Sequence, residues 1–311
     1  MIKTIFIVGP TASGKTSLSI EMAKRFGGEI ICADSMQIYK GIHIASAAPE
    51  AEEMQGITHY MLEFLELDEE YSVAEYVIKA RELIKEIHNK GKIPIIVGGT
   101  GLYISSLLDN TEFTDTQTDP SLREALEKRF DEIGGENMLK ELSEFDPKTA
   151  ERLHVMDRKR IIRAFEVYKQ TGVTLTRQNE LSHKNKPFFE SLVIGLGYQN
   201  RELLYQRINK RVDLMMQNGL LEEAEKTFNT DRKKGAFQAI GHKELYGYFL
   251  GKYSLEEAIE LLKRQTRRYA KRQLTWFRRN SGINWIYADK CENVSAVAEE
   301  LITKFLRSEK N

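Results

Sequence analysis

Cysteine is scarce in this chain: Cys32 and Cys291 are the two among 311 residues. Their wide separation excludes a disulfide framework and a Cys-based zinc site, and fits a reducing compartment. Long apolar runs are missing as well, none approaching the roughly 20 residues of a membrane span. The apolar strand near the N-terminus has neither a charged leader nor a small-residue cleavage site, so a cytoplasmic chain with no membrane partner is expected. Net charge is absent, with Lys+Arg and Asp+Glu at 46 each. Total charge therefore speaks neither for nor against a polyanionic partner, and its distribution has to decide. Internal repeats and low-complexity segments are lacking too, so every region is expected to pack.

The hydrophobic fraction, 41%, suffices for one large domain or two modest ones. Lys3 to Val8 (KTIFIV) is a β-rich apolar run, followed by a glycine-bearing turn and by SLSIEMAKRF, whose Leu18, Met22, Ala23 and Phe26 fall at helical spacing. Gly28 to Asp34 repeats the strand signal, and Lys92 to Gly98 gives a third after an amphipathic helix over Val73 to Asn89. Strands separated by helices predict a parallel α/β sheet. From about Asp119 the pattern turns to successive helices, and a strand returns only at Leu192 to Gly197. Helices over Arg201 to Phe228 and Ser254 to Arg279, a short strand INWIYAD and a last helix complete the chain. With GPTASGKT (9–16) in the turn after the first strand matching the phosphate-loop pattern GxxxxGK[ST], the expected fold class is α/β: a P-loop NTPase-like parallel sheet flanked by helices (residues 1–112 and 195–311), with an all-helical insertion at 113–194.

Gly9-Pro10-Thr11-Ala12-Ser13-Gly14-Lys15-Thr16 matches GxxxxGK[ST] in full, between a strand and a helix, the context the motif requires. The glycines let backbone N–H groups turn inward on an anion, and the helix N-terminus adds positive potential. Lys15 supplies a point charge and Thr16 a ligand for Mg²⁺. This specifies a di- or triphosphate with Mg²⁺ and leaves its organic part open, the ATP of a kinase included. An NTPase or kinase also carries an acidic residue, usually at the end of a neighbouring strand. The strand over 93–97 runs into Gly98-Gly99-Thr100-Gly101, which has no carboxylate, so Asp34, ending the strand EIICA, is the candidate. Its role decides the reaction class: phosphoryl transfer if it organises a metal, other chemistry if it is a base beside a second substrate.

Asp34 opens DSMQIYKG (34–41), and that stretch after a phosphate loop resembles the tRNA dimethylallyltransferase (tRNA isopentenyltransferase) family. GPTASGKT (9–16), VGGTGLY (97–103), DPSLR (119–123), RKRIIRAFEVY (158–168), QRINKRVDLM (206–215), QAIGHKEL (238–245) and AKRQLTWFR (270–278) are similar to that family's segments in the same order. The resemblance implies transfer of a dimethylallyl group from dimethylallyl diphosphate to N6 of the adenosine 3′-adjacent to a tRNA anticodon, with release of pyrophosphate. It makes Gly9, Pro10, Thr11, Ala12, Ser13, Gly14, Lys15 and Thr16 a cradle for the leaving group. It further implies that Thr11 hydrogen-bonds the bridging oxygen and that Arg211 joins the diphosphate ligands. Asp34 is the expected base, because an adenine amine is a poor nucleophile until its proton is taken, and the cations and loop amides stabilise the departing pyrophosphate. By the same resemblance the tRNA is met by Asp34, Ser35, Met36, Gln37, Thr100, Arg123, Lys159, Arg160, Ile161, Ile162, Arg163, Gln238, Gly241, His242 and Lys243, the helical insertion gripping the anticodon stem-loop. No zinc-finger spacing appears, which matches the compact bacterial form, and a monomer is expected.

Charge distribution tests this independently. Between Leu261 and Ser281 stand eight basic residues and no acidic one. Arg264, Arg268 and Arg272 recur every four residues along one helical face, and Lys263, Arg267 and Lys271 line the adjacent one. Such a stripe suits the phosphate backbone of a folded RNA, and Arg264 and Arg268 are its expected contacts. The alternatives are an enzyme that prenylates free adenine nucleotides, a P-loop small-molecule or nucleotide kinase, and an RNA-binding NTPase. The insertion and the stripe count against the first. A kinase must release ADP, and RNA-stimulated phosphate release would mark the third.

Overall fold

Strand β1 (Lys3–Val8) shows no polar alternation because both of its faces are covered. In the computed structural model of the chain, which describes residues 1–111, 113, 119–182, 187–230 and 235–308, Ile5, Phe6, Ile7 and Val8 are fully buried. The sheet is completed by β2 (Gly28–Cys32), β3 (His59–Tyr60), β4 (Ile93–Gly98), β5 (Glu190–Gly197) and β6 (Ile283–Tyr287). Its order is β3-β2-β4-β1-β5-β6 and every pairing is parallel, as the alternation of strands and helices predicts. Ile5 and Ile7 stand in register with Ile95 and Val97 on one side, and with Leu192 and Ile194 on the other. The two-residue β3 is too short to leave a periodic signal in the sequence.

Between the first strands run α1 (Lys15–Phe26), the single-turn α2 (His43–Ser46) and α3 (Ala51–Met54), α4 (Val73–Asn89) and α5 (Gly101–Leu108). Helical spacing in α1 sets Leu18, Met22 and Ala23 in one cluster with Ile5, Ile7, Ile30 and Ile95. Helix α4 covers β2 and β4, and its Tyr76 stacks on Tyr103 of α5 with ring centroids 4.0 Å apart.

The helices α6 (Pro120–Phe145), α7 (Pro147–Arg152), α8 (Arg158–Thr171) and α9 (Leu175–Ser182) belong to a separate compact unit, Asp109–Pro187; the sheet unit is Met1–Leu108 with Phe188–Asn311. Asp119 and Asp146 cap α6 and α7, each followed by proline at the first helical position. The unit's core is Leu126, Met138, Leu142, Ile161, Ile162 and Phe165. Ile161 and Ile162 are only 0% and 2% exposed, which corrects their assignment to tRNA: they form the inward face of α8, whereas Lys159, Arg160 and Arg163 lie exposed on it. The expected insertion boundary at 194 is also corrected, because β5 takes residues from Glu190 onward into the sheet.

The sheet unit ends with α10 (Arg201–Gln217), α11 (Leu220–Phe228), a 3-10 turn at Gly235–Gln238, α12 (His242–Phe249), α13 (Leu255–Phe277) and α14 (Val294–Arg307). The helical stretch expected over 201–228 consists of α10 and α11, separated at Gly219, whose φ of +97° no continuing helix adopts. Ala298 and Ile302 of α14 close the cluster around α1.

Truncation of Ile161 to alanine should cost about 2–5 kcal/mol, the range for emptying a close-packed aliphatic site. Lys159→Ala, at an exposed position, should stay within about 0.5 kcal/mol of the native chain. Chemical denaturation followed by helical circular dichroism measures both; equal stability of the two variants would contradict the placement of Ile161.

Candidate active site

The phosphate loop leaves the central strand through Gly9, whose φ is +147° and where a Cβ would fall 2.3 Å from the Leu196 carbonyl oxygen. Glycine is therefore the residue that lets the turn pass β5. Ala12 and Gly14 are also left-handed, at φ +61° and +96°, and alternation of this kind directs successive N–H groups into one concavity. Gly14 caps α1 without any side-chain acceptor, so the first-turn N–H groups remain for an anion. The Lys15 Nζ donates to the Pro10 carbonyl at 2.7 Å, and Arg207 Nε from α10 donates to the Ala12 carbonyl at 3.0 Å. The buried hydroxyl of Ser13 has no partner among the described residues, which also suits a loop made to receive an acceptor-rich ligand.

Two cations and one acid interact here. Burial pushes the Lys15 ammonium down to about 8, the like charge of Arg211 pushes the same way, and Asp34 opposes both. Arg211, on α10, is likewise held below its ordinary range by burial, with Asp34 opposing. Asp34 sits just beyond β2, where the Ala33 N–H still bonds the Val97 carbonyl at 2.7 Å. Its Oδ1 accepts the Met36 N–H at 2.9 Å, an Asx turn that aims the carboxylate, and among the described residues Oδ2 has no hydrogen bond.

These side chains line one space. A pocket of about 320 Å³ is bounded by Thr11, Lys15, Thr16, Asp34, Arg211 and Gln273, with Met36, Val212, Met215 and Leu262 as apolar wall. Beside it a cleft of about 840 Å³ runs along Ala12 to Ser17 and is bordered by Arg207, Lys210 and Arg211. Lys15, Thr16 and Arg211 line both. The arrangement can hold a polyanion in the cleft while a carboxylate faces whatever enters the smaller pocket.

Of the residues expected at tRNA, Asp34, Ser35, Met36, Gly241 and Lys243 line the pocket. Gln37 lines it too, but its amide is engaged within the protein: Nε2 donates to the Ala47 carbonyl at 2.9 Å and Oε1 accepts from Cys32 Sγ at 3.1 Å. Thr100 is half-buried, and its Oγ1 accepts the Ser35 N–H at 2.9 Å. His242 is corrected outright. It is 0% exposed, with Nδ1 3.0 Å from Thr227 Oγ1 and Nε2 2.9 Å from Glu223 Oε1. Glu223 in turn accepts the N–H groups of Ile44 and Ala45 at 2.8 and 2.9 Å, so this histidine secures α2, a wall of the pocket, and touches no solvent. The side chain of Gln238 lies outside the described residues.

On α13, Arg264 and Arg268 are exposed, and among the described residues no carboxylate pairs with either. Lys263 is tied to Asp213 at 2.9 Å and Glu260 at 3.1 Å, and Arg267 donates to Asn209 at 2.6 Å. The stripe is therefore narrower than its sequence spacing suggests. In the helical unit Arg123 and Arg163 each stand 3.6 Å from one oxygen of the buried Glu166, while Lys159 and Arg160 are exposed on α8.

The sequence reading missed Arg207 and Lys210 on α10 and Tyr269 and Gln273 on α13, all of which border the cavities, and it placed Arg272, which borders the smaller one, on the RNA stripe. One signal for Gln273 was present. Leu262, Ala270 and Phe277 mark the buried stripe of α13, and a glutamine on such a stripe requires a partner inside the protein.

Comparison with known proteins bears on nearly the whole chain. A sequence model of the family described as IPP transferase matches residues 37–280. A tRNA dimethylallyltransferase of Acetivibrio thermocellus is 49% identical over 303 residues, covering 97% of this chain and 96% of its own. One of a Thermoanaerobacter species is 44% identical, with 100% and 99% covered. The solved tRNA delta(2)-isopentenylpyrophosphate transferase of Staphylococcus epidermidis aligns at a TM-score of 0.72 and 40% identity over 99% of this chain and 100% of its own. A eukaryotic dimethylallyltransferase acting on tRNA aligns at 0.84 and 31% identity over 100% of this chain and 81% of that one.

A bound polyanion should raise the depressed Lys15 by favouring its charged form. Pyrophosphate is thus expected to draw a proton onto the protein above pH 8, the value to which burial lowers Lys15, and to bind more weakly as pH rises through it. Calorimetry near pH 8.5 in buffers of different ionisation enthalpy counts that proton; Lys15→Arg, charged throughout, should take up correspondingly fewer. Equal uptake by both proteins would remove Lys15 from the anion site.

Proposed function

This chain belongs to the IPP transferase family, and on that premise we propose how its residues carry out the transfer. The activity is that of its relatives, dimethylallyl transfer to tRNA. We take the donor to be dimethylallyl diphosphate and the acceptor to be N6 of the adenosine 3′-adjacent to the anticodon. The observation that carries this reading is the single pocket lined at once by Asp34 and by Thr11, Lys15, Thr16 and Arg211.

In this reading the diphosphate lies on the loop amides and Lys15, with its bridging oxygen at Thr11 and Arg211 alongside. The adenine amine attacks the allylic carbon, whose bond to the bridging oxygen breaks. Asp34 takes the proton that N6 loses, and the electron pair of the broken bond leaves with pyrophosphate. Its charge grows in a pocket where Lys15 and Arg211 are already desolvated, so the attraction rises toward the transition state rather than being exhausted in the ground state. A stacked anticodon-loop adenosine cannot reach such a site and has to be turned out of the stack, which the apolar wall of the pocket favours.

The residues fit Mg²⁺ of the kind held mainly by substrate. Thr16, in the first turn of α1, lines both cavities, and among the described residues no cluster of three His, Cys, Asp or Glu offers an all-protein site. Thr16 would supply one hard oxygen, with diphosphate oxygens and water the others. Bound there, the ion would neutralise charge on the leaving group. RNA affinity in this reading comes from Arg264 and Arg268 on α13, with Lys159 and Arg160 on the helical unit. Among the described residues no helix is long and apolar enough to cross a membrane.

Mixing the protein with dimethylallyl diphosphate, Mg²⁺ and an adenosine-rich anticodon stem-loop should add one five-carbon unit to the RNA, read by mass spectrometry. Asp34→Ala should lose at least about 10²-fold in rate, the scale of a general base, with RNA affinity retained; full turnover would remove Asp34 from its role. Reversing Arg264 and Arg268 to glutamate should instead weaken RNA capture and flatten its salt dependence by about two phosphate contacts. Unchanged affinity at moderate salt would disqualify α13 as the RNA face.

A further inference from the structure

Gln273 is 5% exposed, yet both functions of its amide are in use, and on two different loops. Its Oε1 accepts the Thr11 N–H at 2.9 Å, and its Nε2 donates to the Gly99 carbonyl at 2.9 Å. The pairing assigns the ends of the amide, since an N–H requires the oxygen and a carbonyl the nitrogen. Gly99 leaves the room for it: a Cβ there would fall 2.1 Å from Nε2. From Gly99 the chain of bonds continues to the acid. The Thr100 N–H bonds the Ala33 carbonyl at 3.1 Å, and Thr100 Oγ1 accepts the Ser35 N–H at 2.9 Å. Tyr269, one turn earlier on α13, faces its hydroxyl toward Thr100 and Gln273. Thr11 in the phosphate loop and the segment that bears Asp34 are thus joined through one buried side chain.

We propose that Gln273 is a positioning residue for the transfer, setting the distance between Thr11 at the departing oxygen and Asp34 at the incoming nitrogen. The inference rests on the reaction given above. Displacement at carbon needs attacking and leaving atoms on opposite sides at a defined separation, and a misplacement of about 1 Å is worth on the order of 10²-fold in rate. Sheet pairing alone does not fix that separation, because β1 and β2 are not neighbours and β4 stands between them. Both loops also extend past their strands. Gln273 closes the gap from outside the sheet, and because its amide is committed to protein on both sides it is neither a phosphate ligand nor an RNA contact.

Gln273→Met keeps the length and loses both bonds. It should lower kcat about 10- to 100-fold while the KM for the stem-loop stays within about twofold. In a Thr11→Ala background the same change should cost markedly less, because the group being positioned is gone; independent structural roles would multiply. Gln273→Glu serves as the second variant: its neutral acid can both accept from Thr11 and donate to Gly99, so its kcat relative to the native protein should rise as pH falls. Unaltered kcat, multiplicative losses, or a rise confined to the KM for RNA would each overturn the proposal. The native protein runs in parallel, and no product from it would count against the transfer itself. Affinity for inorganic pyrophosphate then still decides, since a loop no longer held at Thr11 presents its amides out of register and should bind it about tenfold more weakly, and native affinity in Gln273→Met would speak against the proposal.

Discussion

Lys15 and Arg211 share a desolvated space in which Asp34 is the carboxylate that both feel, and the pocket around them depends on that imbalance. Burial disfavours both cations, so the protein holds the site at a cost in stability that a polyanion relieves. Partial burial also weakens the screening of the attraction by water, so a polyanion held here would interact more strongly with both cations than on an open surface. In the proposed transfer Asp34 would have to stay close enough to take the proton from the acceptor without neutralising the cations. Its Asx turn and the Thr100 staple hold that compromise in place.

The sheet supplies the frame. Ligand sites in open parallel sheets fall at the carboxyl ends of strands, where successive connections leave in different directions. Here β1 delivers the phosphate loop, β2 the acid and β4 the Gly99–Thr100 turn, all at one edge. Helices α10 and α13 roof the site with Arg207, Lys210 and Arg211 from one and Tyr269, Arg272 and Gln273 from the other. The outer side of α13 carries Arg264 and Arg268, so one helix presents charge to solvent and a hydrogen-bonding amide to the phosphate loop and the Gly99 turn.

Much of this was legible in the sequence because it is local. The motif at 9–16 needs only its own glycines and the flanking strand and helix, and Val73–Asn89 shows its apolar stripe without reference to anything else. What failed was whatever depended on the third dimension. The segment RKRIIRAFEVY carries both faces of α8, and reading it as one block sent Ile161 and Ile162 outward with their basic neighbours. His242 lies within a segment shared with the family, yet its partners Glu223 and Thr227 come from α11 and enclose it. Gln273 bonds residues at the far end of the chain, and no spacing rule reaches across that distance. Lys263 was read as part of the cationic stripe, but it pairs with Glu260 one turn earlier and with Asp213, which sits on another helix.

The place of the helical unit in the chain has a consequence for how the protein assembles. Lys3 pairs with Glu190 and Ile7 with Ile194, so the innermost strand lacks one neighbour until all of 109–187 has been made. An unstructured excursion of that length would tax closure of the ladder and leave an apolar edge open to other chains. The unit's own pairings, α6 with α7 and α8 and both α7 and α8 with α9, span short stretches of sequence, and contacts of that kind form early. A unit built from such local contacts can form before β5 is made, and β5 then completes the sheet begun by β1.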